Sequence, residues 1–189
     1  MRNALSKFGC FVLIVGLLLL SQTIPASNTA RAQSTEAFSF LGISDVPYTA
    51  QEDYTLRQRT RPAIEASALP FVIFMGDFKN AKIPCSAALM TRRRDQILGL
   101  HQGRVFYTPG DNDWTDCDRR QIRQRFSELN RLDLLRRLFY GRPMELPPEW
   151  LYQRQSLFPE NMRWVYNNVL FATLHLVSTN NGRDEILLD

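Results

Sequence analysis

Val105-Phe106-Tyr107-Thr108-Pro109-Gly110-Asp111-Asn112-Asp113-Trp114 is a short apolar run that stops at a glycine followed by two acids and an amide. A run of this length with little polar alternation reads as a strand buried on both faces. Two earlier runs close in the same way: Phe38 to Ser44 stops at Asp45, and Phe71 to Met75 stops at Gly76-Asp77. A fourth run, Leu170 to Val177, is read as a further buried strand. Stretches compatible with helix lie between them, so the chain predicts an α/β fold whose sheet is built from βαβ units.

Three stretches carry the helical expectation. Tyr48 to Ser67 suits a helix that Pro62 must kink or end. Cys85 to Leu100 reads as a helix capped near Ser86. Gln121 to Tyr140 places Ile122, Phe126, Leu129, Leu132, Leu135 and Leu138 at three- and four-residue steps, which makes one apolar stripe for core packing. Arg92-Arg93-Arg94 reads as a solvated helix face. Gly141 to Pro159, rich in proline, reads as a loop that Trp150 and Tyr152 hold down.

The first 32 residues differ from the rest. Arg2 and Lys7 precede the apolar run Phe11 to Leu20, and Ala30-Arg31-Ala32 supplies small residues before Gln33. A membrane-spanning helix needs about 20 apolar residues, so the shorter run reads as a signal peptide, with cleavage between Ala32 and Gln33. An uncleaved N-terminal anchor is the alternative. Residues 33–189 then form the domain, exported to a periplasm or secreted, with no stable membrane anchor after cleavage. Removing Arg2, Lys7 and Arg31 from 23 basic residues leaves 20 against 19 acidic, a balance of +1. The high pI therefore belongs largely to the leader and is no argument for nucleic-acid binding. Cys85 and Cys117 are the two cysteines beyond the leader. In an oxidising compartment they read as a disulfide contributing about 3–4 kcal/mol, with two buried thiols as the alternative.

A lone Gly-Asp after a strand is an ordinary turn or cap signal. Three strand-end acids in succession point further, because the C-terminal ends of parallel strands share one edge and ligands bind outside it. Asp45, Asp77 and Asp111 on one rim would repel one another unless cations neutralised them. Oxygen donors in such a cluster suit hard or borderline divalent ions.

These blocks resemble the calcineurin-like metallophosphoesterases, whose pattern runs Asp-x-His, then Gly-Asp, then Gly-Asn-His with Asp or Glu. An exported bacterial-type subgroup is more similar still, on Gly76-Asp77-Phe78-Lys79 with Cys85, on Pro109 to Cys117 and on Pro159 to Trp164. The resemblance covers roughly Phe38 to Arg183. It implies an α/β/β/α sandwich holding two divalent metal ions (manganese, iron, zinc or a similar metal) and hydrolysis of a phosphate ester whose identity it does not supply. It also implies roles position by position. Asp45 is a ligand, Asp77 the ligand bridging two metals, and Asp111 stands where the family has an asparagine ligand. Asn112 and Asp113 then form the catalytic pair, Asn112 at the place of the histidine that assists the leaving group. A register one residue later makes Asn112 itself the ligand.

Two departures accompany the resemblance. Pro47 occupies the place of the first block's histidine. The family's later histidine ligands have no counterpart, since His101 and His175 are the two histidines of the sequence. His101 precedes the third strand and is expected at the wrong edge, and His175 reads as a packed sheet histidine. The chain thus reads as a partial sandwich truncated at its C-terminus. Two functions stand at this point: an exported metal-dependent phosphoesterase, or a truncated or non-catalytic family member. Truncation would uncover one apolar sheet face and lead to self-association through it.

Overall fold

The computed structural model describes residues 36–176. The predicted leader and its Ala32–Gln33 cleavage site lie outside the described residues. Strands β1 (Leu41–Ile43), β2 (Val72–Phe74) and β3 (Val105–Tyr107) form a parallel sheet in the order β1-β2-β3, with Leu41 beside Val72 and Val72 beside Val105. Each lies within an apolar run of the sequence, and the three C-terminal ends share one edge as expected.

The fourth run does not join that sheet. Strand β6 (Val169–Thr173) pairs antiparallel with β5 (Met162–Tyr166), which pairs in turn with the short β4 (Gln153–Arg154). The β5–β6 connection is the two-residue turn Asn167-Asn168, both at positive φ (48° and 63°), a conformation asparagine tolerates better than most residues.

The two sheets pack face to face through aromatic rings. Phe106 of β3 stacks on Trp164 of β5 at 3.5 Å between centroids, and Phe71 meets Trp164 and Phe171 edge-on at 5.5 and 5.0 Å. Alternation along β3 sends the next residue, Tyr107, to the opposite face, where it stacks on Phe139 at 3.9 Å. Phe139 belongs to helix α4 (Glu128–Tyr140). The parallel sheet therefore has a helix on one side and a second sheet on the other. Phe71, Phe74, Phe106 and Trp164 are fully buried, each contributing on the order of 2–3 kcal/mol of hydrophobic free energy.

The helices follow their start signals closely and their interiors less so. Thr49 caps α1 (Ala50–Thr55) reciprocally with Glu52. The helix does not end at Pro62, but its regular winding is interrupted just before it. A wider π turn, Leu56–Thr60, intervenes before α2 (Arg61–Ala66), with the Arg61 N–H reaching back to the Leu56 carbonyl. This turn carries the helix past the proline, which lacks an N–H, and lets both Leu56 and Ile64 reach the core. Helix α3 (Ala87–Leu98) starts at the predicted cap, Ser86 accepting from the Leu89 N–H at 3.2 Å.

Arg93 on α3 corrects the expectation of a solvated basic face. It is buried, donating to Asp53 (2.6 Å) and to the Pro47 carbonyl (3.1 Å). Helix α4 begins seven residues later than the apolar stripe suggested, at the Ser127 cap. The preceding chain is held instead by the Phe126 N–H on the Cys117 carbonyl at 2.9 Å. Cys85 and Cys117 stand at disulfide distance, with Cα atoms 5.5 Å apart. On the outward side of β6 and the residues after it, Leu170, Leu174 and Leu176 form an exposed row.

Candidate functional site

The strand ends position the acids through unusual backbone. Asp45 and Asp77, each following a strand, both adopt left-handed φ, 59° and 58°, and Gly76 stands at 70°. A non-glycine residue in that region costs of order 1 kcal/mol or more and persists where its surroundings enforce it. The enforcement is visible. The Asp45 N–H donates to the Gly76 carbonyl at 3.2 Å, and the Thr108 N–H to the Phe74 carbonyl at 2.9 Å. The Gly76-Asp77 turn also lies directly against the Pro109-Gly110 turn. A Cβ on Gly110 would fall 2.0 Å from Asp77 Oδ1, and one on Gly76 would fall 2.1 Å from the Gly110 nitrogen. Both glycines are there because the two turns touch.

Asp113, expected in the catalytic pair, is fully buried beneath this contact. Its Oδ2 accepts from the N–H groups of Asp77 and Gly110, each at 2.9 Å, and from the Tyr107 hydroxyl at 2.8 Å, while Oδ1 accepts from the Phe78 N–H at 3.0 Å. Burial pushes its carboxyl up to about 6, with those four donors pulling the other way. The side chain has no exposed face for a substrate, and its role is to clamp the second and third strand ends together.

Above it, the remaining predicted residues meet. The Asn112 N–H donates to Asp77 Oδ1 (3.1 Å) and Asp111 Oδ1 (2.8 Å), and Asn112 Nδ2 donates to Asp77 Oδ2 at 3.2 Å. Tyr48, which the sequence reading missed, completes the row: its hydroxyl donates to Asp45 Oδ1 at 2.9 Å and lies 3.5 Å from Asn112 Nδ2. A hydrogen-bonded line thus runs Asp45–Tyr48–Asn112–Asp77 across all three strand ends. The Tyr48 phenol is pushed up by partial burial and by the Asp45 and Asp77 carboxylates, so it stays protonated and donates.

Asp77 is the electrostatic centre. Burial, reinforced by the carboxylates of Asp113, Asp111 and Asp45, pushes its carboxyl up to about 7. Lys79, two residues on, is fully buried, but its ammonium donates to the Asn80 carbonyl at 3.3 Å and forms no ion pair with Asp77. A cavity of about 320 Å³ opens beside the rim, lined by Asp77, Gly110, Asp111, Thr108 and by Leu174 and Leu176. Donor chemistry and the crowding of carboxylates at the rim both suit a hard divalent cation. The spacing is less complete: among the described residues, no three His, Cys, Asp or Glu groups converge as a metal-holding set.

The histidines lie elsewhere. His101 Nε2 sits 2.9 Å from the Leu69 carbonyl, near the start of β3 and so away from the rim. His175 has both ring nitrogens engaged: Trp114 Nε1–H donates to Nε2 at 3.0 Å, and Nδ1 lies 3.0 Å from Glu160 Oε1. Arg136 forks onto the same carboxylate at 3.1 and 2.6 Å. Burial alone would raise Glu160, but the hydrogen bonds from His175 and Arg136 outweigh it and hold the carboxyl at about 2.

No protein-family model, curated protein or solved structure matches the chain.

Proposed function

We propose that the protein is an exported metal-dependent phosphoesterase of the calcineurin-like kind, hydrolysing a phosphate ester at the strand-end rim with two divalent metal ions. The observation that carries the reading is the pair Asp45 and Asp77, both held at positive φ and joined through Tyr48 and Asn112 across three strand ends. Strain of this kind concentrates where a side chain must be aimed. Asp45, Asp77 and Asp111, with the Asn112 amide, are the residues that would hold the ions. Bound ions would polarise phosphoryl oxygens and activate water. The chain's own contribution is positional: Asp113 fixes the two turns beneath the site, Asn112 spans Asp77 and Asp111, and Tyr48 keeps a proton on the rim. The helix-sheet-sheet layering supports the sandwich architecture of that family, and the Cys85–Cys117 pair supports an oxidising compartment.

A second reading, a non-catalytic relative, is favoured by the full engagement of His175 with Glu160 and Trp114, which removes the one imidazole near the acid loop from service as a ligand. Metal analysis of the purified chain, together with hydrolysis of an aryl phosphate in added manganese, separates the two. Bound metal with turnover that Asp77→Ala abolishes is expected of the enzyme. Bound metal without turnover selects the non-catalytic reading, and absence of both metal and turnover sinks the enzyme.

A further inference from the structure

A cavity of about 1010 Å³ lies apart from the rim, and none of Asp45, Asp77, Asp111 or Asn112 lines it. It runs between the C-terminal end of α4 and the ends of α3 and β3 that point away from the acids. Small-molecule sites span roughly 300–1,000 Å³, so this one has room for a ligand of nucleotide size. Arg94, Arg137, Arg142 and Arg154 line it against one acid, Glu145. Arg94 is paired with Asp95 and Arg137 with Asp133. Arg142 and Arg154 have no acidic partner among the described residues.

Arg154 is also fixed in place. Its Nη1 donates to the carbonyls of Tyr140 (2.7 Å) and Arg142 (3.2 Å), just where α4 ends. Those bonds employ one nitrogen of the guanidinium and leave its other donors uncommitted. Unpaired arginine forks are the groups that bind phosphate oxygens bidentately. The same cleft has aromatic walls: Phe139, braced by its stack on Tyr107, and Tyr152, which packs on Phe106. Flat apolar surface beside cationic forks suits a ligand with a ring at one end and phosphate at the other.

We propose that this cleft binds a phosphorylated aromatic small molecule, with the phosphate on Arg142 and Arg154 and the ring against Phe139 and Tyr152. The site is independent of the rim chemistry. It is tested by calorimetric titration of the full chain in EDTA with ADP, inorganic phosphate and adenosine as separate probes, on wild type, Arg142→Ala, Arg154→Lys and Asp77→Asn. ADP should bind about tenfold or more tightly than either fragment, because only ADP engages both halves of the cleft. Arg142→Ala and Arg154→Lys should each weaken ADP by about tenfold, the lysine because it keeps the charge and loses the fork. Asp77→Asn should leave ADP binding unchanged. ADP binding no tighter than phosphate, or unaltered in Arg142→Ala, overturns the proposal, as does loss of ADP binding in Asp77→Asn, which would place the ligand on the rim. Arg142 is exposed in a loop, so its substitution tests the site without touching the core.

Discussion

Asp77, partly buried, and Glu160, wholly buried, are two acids treated in opposite ways. Glu160 is 1 % exposed and held at about 2 by a guanidinium fork and an imidazole, so its charge is matched inside the protein. Asp77 sits among three other carboxylates, receives hydrogen bonds from Asn112, has no ion pair, and is pushed up to about 7. The contrast separates structure from function within one chain. A buried carboxylate with its own ion pair belongs to the scaffold, whereas one crowded by like charges and lacking an ion pair has the perturbed setting in which functional sites concentrate.

The largest effect expected bears on the architecture that creates Asp77's surroundings. Gly110→Ala places a Cβ 2.0 Å from Asp77 Oδ1, and the two turns must separate. The expected loss is about 3–5 kcal/mol by denaturant unfolding. A loss under about 1 kcal/mol would show that the turns are loosely packed and that the crowding of the acids is not enforced.

The next tests the other half of the pair. Glu160→Gln leaves Arg136 and His175 facing a neutral amide and should destabilise by about 2–3 kcal/mol. The loss of this term on acidification follows from its sign. Glu160 lies below its ordinary value of about 4.3, so its stabilisation is present above that pH and disappears as pH falls towards 2.

The smallest effect has the opposite sign and decides the comparison. Asp77 lies above its ordinary value of about 3.9, so the folded state binds the proton more readily than the unfolded chain. Its favourable term is present below about pH 4 and is lost as pH rises through about 7. In EDTA, Asp77→Asn should therefore melt higher than wild type at pH 7.5, by about 1 kcal/mol once solvent screening of a half-exposed group is allowed for, and match it near pH 4. Added manganese should raise the wild type's melting point at pH 7.5 and leave the Asn variant unmoved. Destabilisation by Asp77→Asn at neutral pH would place Asp77 in the same class as Glu160 and dissolve the distinction.

How much of this was legible in the sequence depends on burial. Strands β2 and β3 are covered on both sides, so each wrote an unbroken apolar run, whereas the half-buried edge strand β1 wrote a run interrupted by Ser39; the turns that close them wrote Gly and Asp where the backbone bends. Strand β5 escaped notice because Arg163 interrupts Met162 and Trp164 on its solvent side. The Asn167-Asn168 pair between β5 and β6 was a hairpin signal that would have moved Leu170 to Val177 out of the parallel sheet. Within the site, Asp45, Asp77 and Asp111 came from their places at strand ends and Asn112 from the family resemblance, but Asp113 and Arg93 show the limit of both. Asp113 reads in the chain as half of a catalytic pair and Arg93 as a surface charge, and only the tertiary contacts with Tyr107 and Gly110, or with Asp53 and Pro47, turn them inward. Tyr48 and the Glu160–His175–Arg136 group join distant segments, and no local pattern encodes them.

The contact between Gly76 and Gly110 also limits how this sequence can drift. The two positions are 34 residues apart, yet a side chain at either would be pushed into the other's turn, and at 110 into the carboxylate of Asp77. Neither can accept even a methyl group unless the other moves, so substitutions there would be tolerated only in concert. Libraries built around this rim gain nothing from varying either glycine singly. The productive freedom lies in the residues that face the opening, Thr108, Leu174 and Leu176, which border the cavity without holding the acids in place.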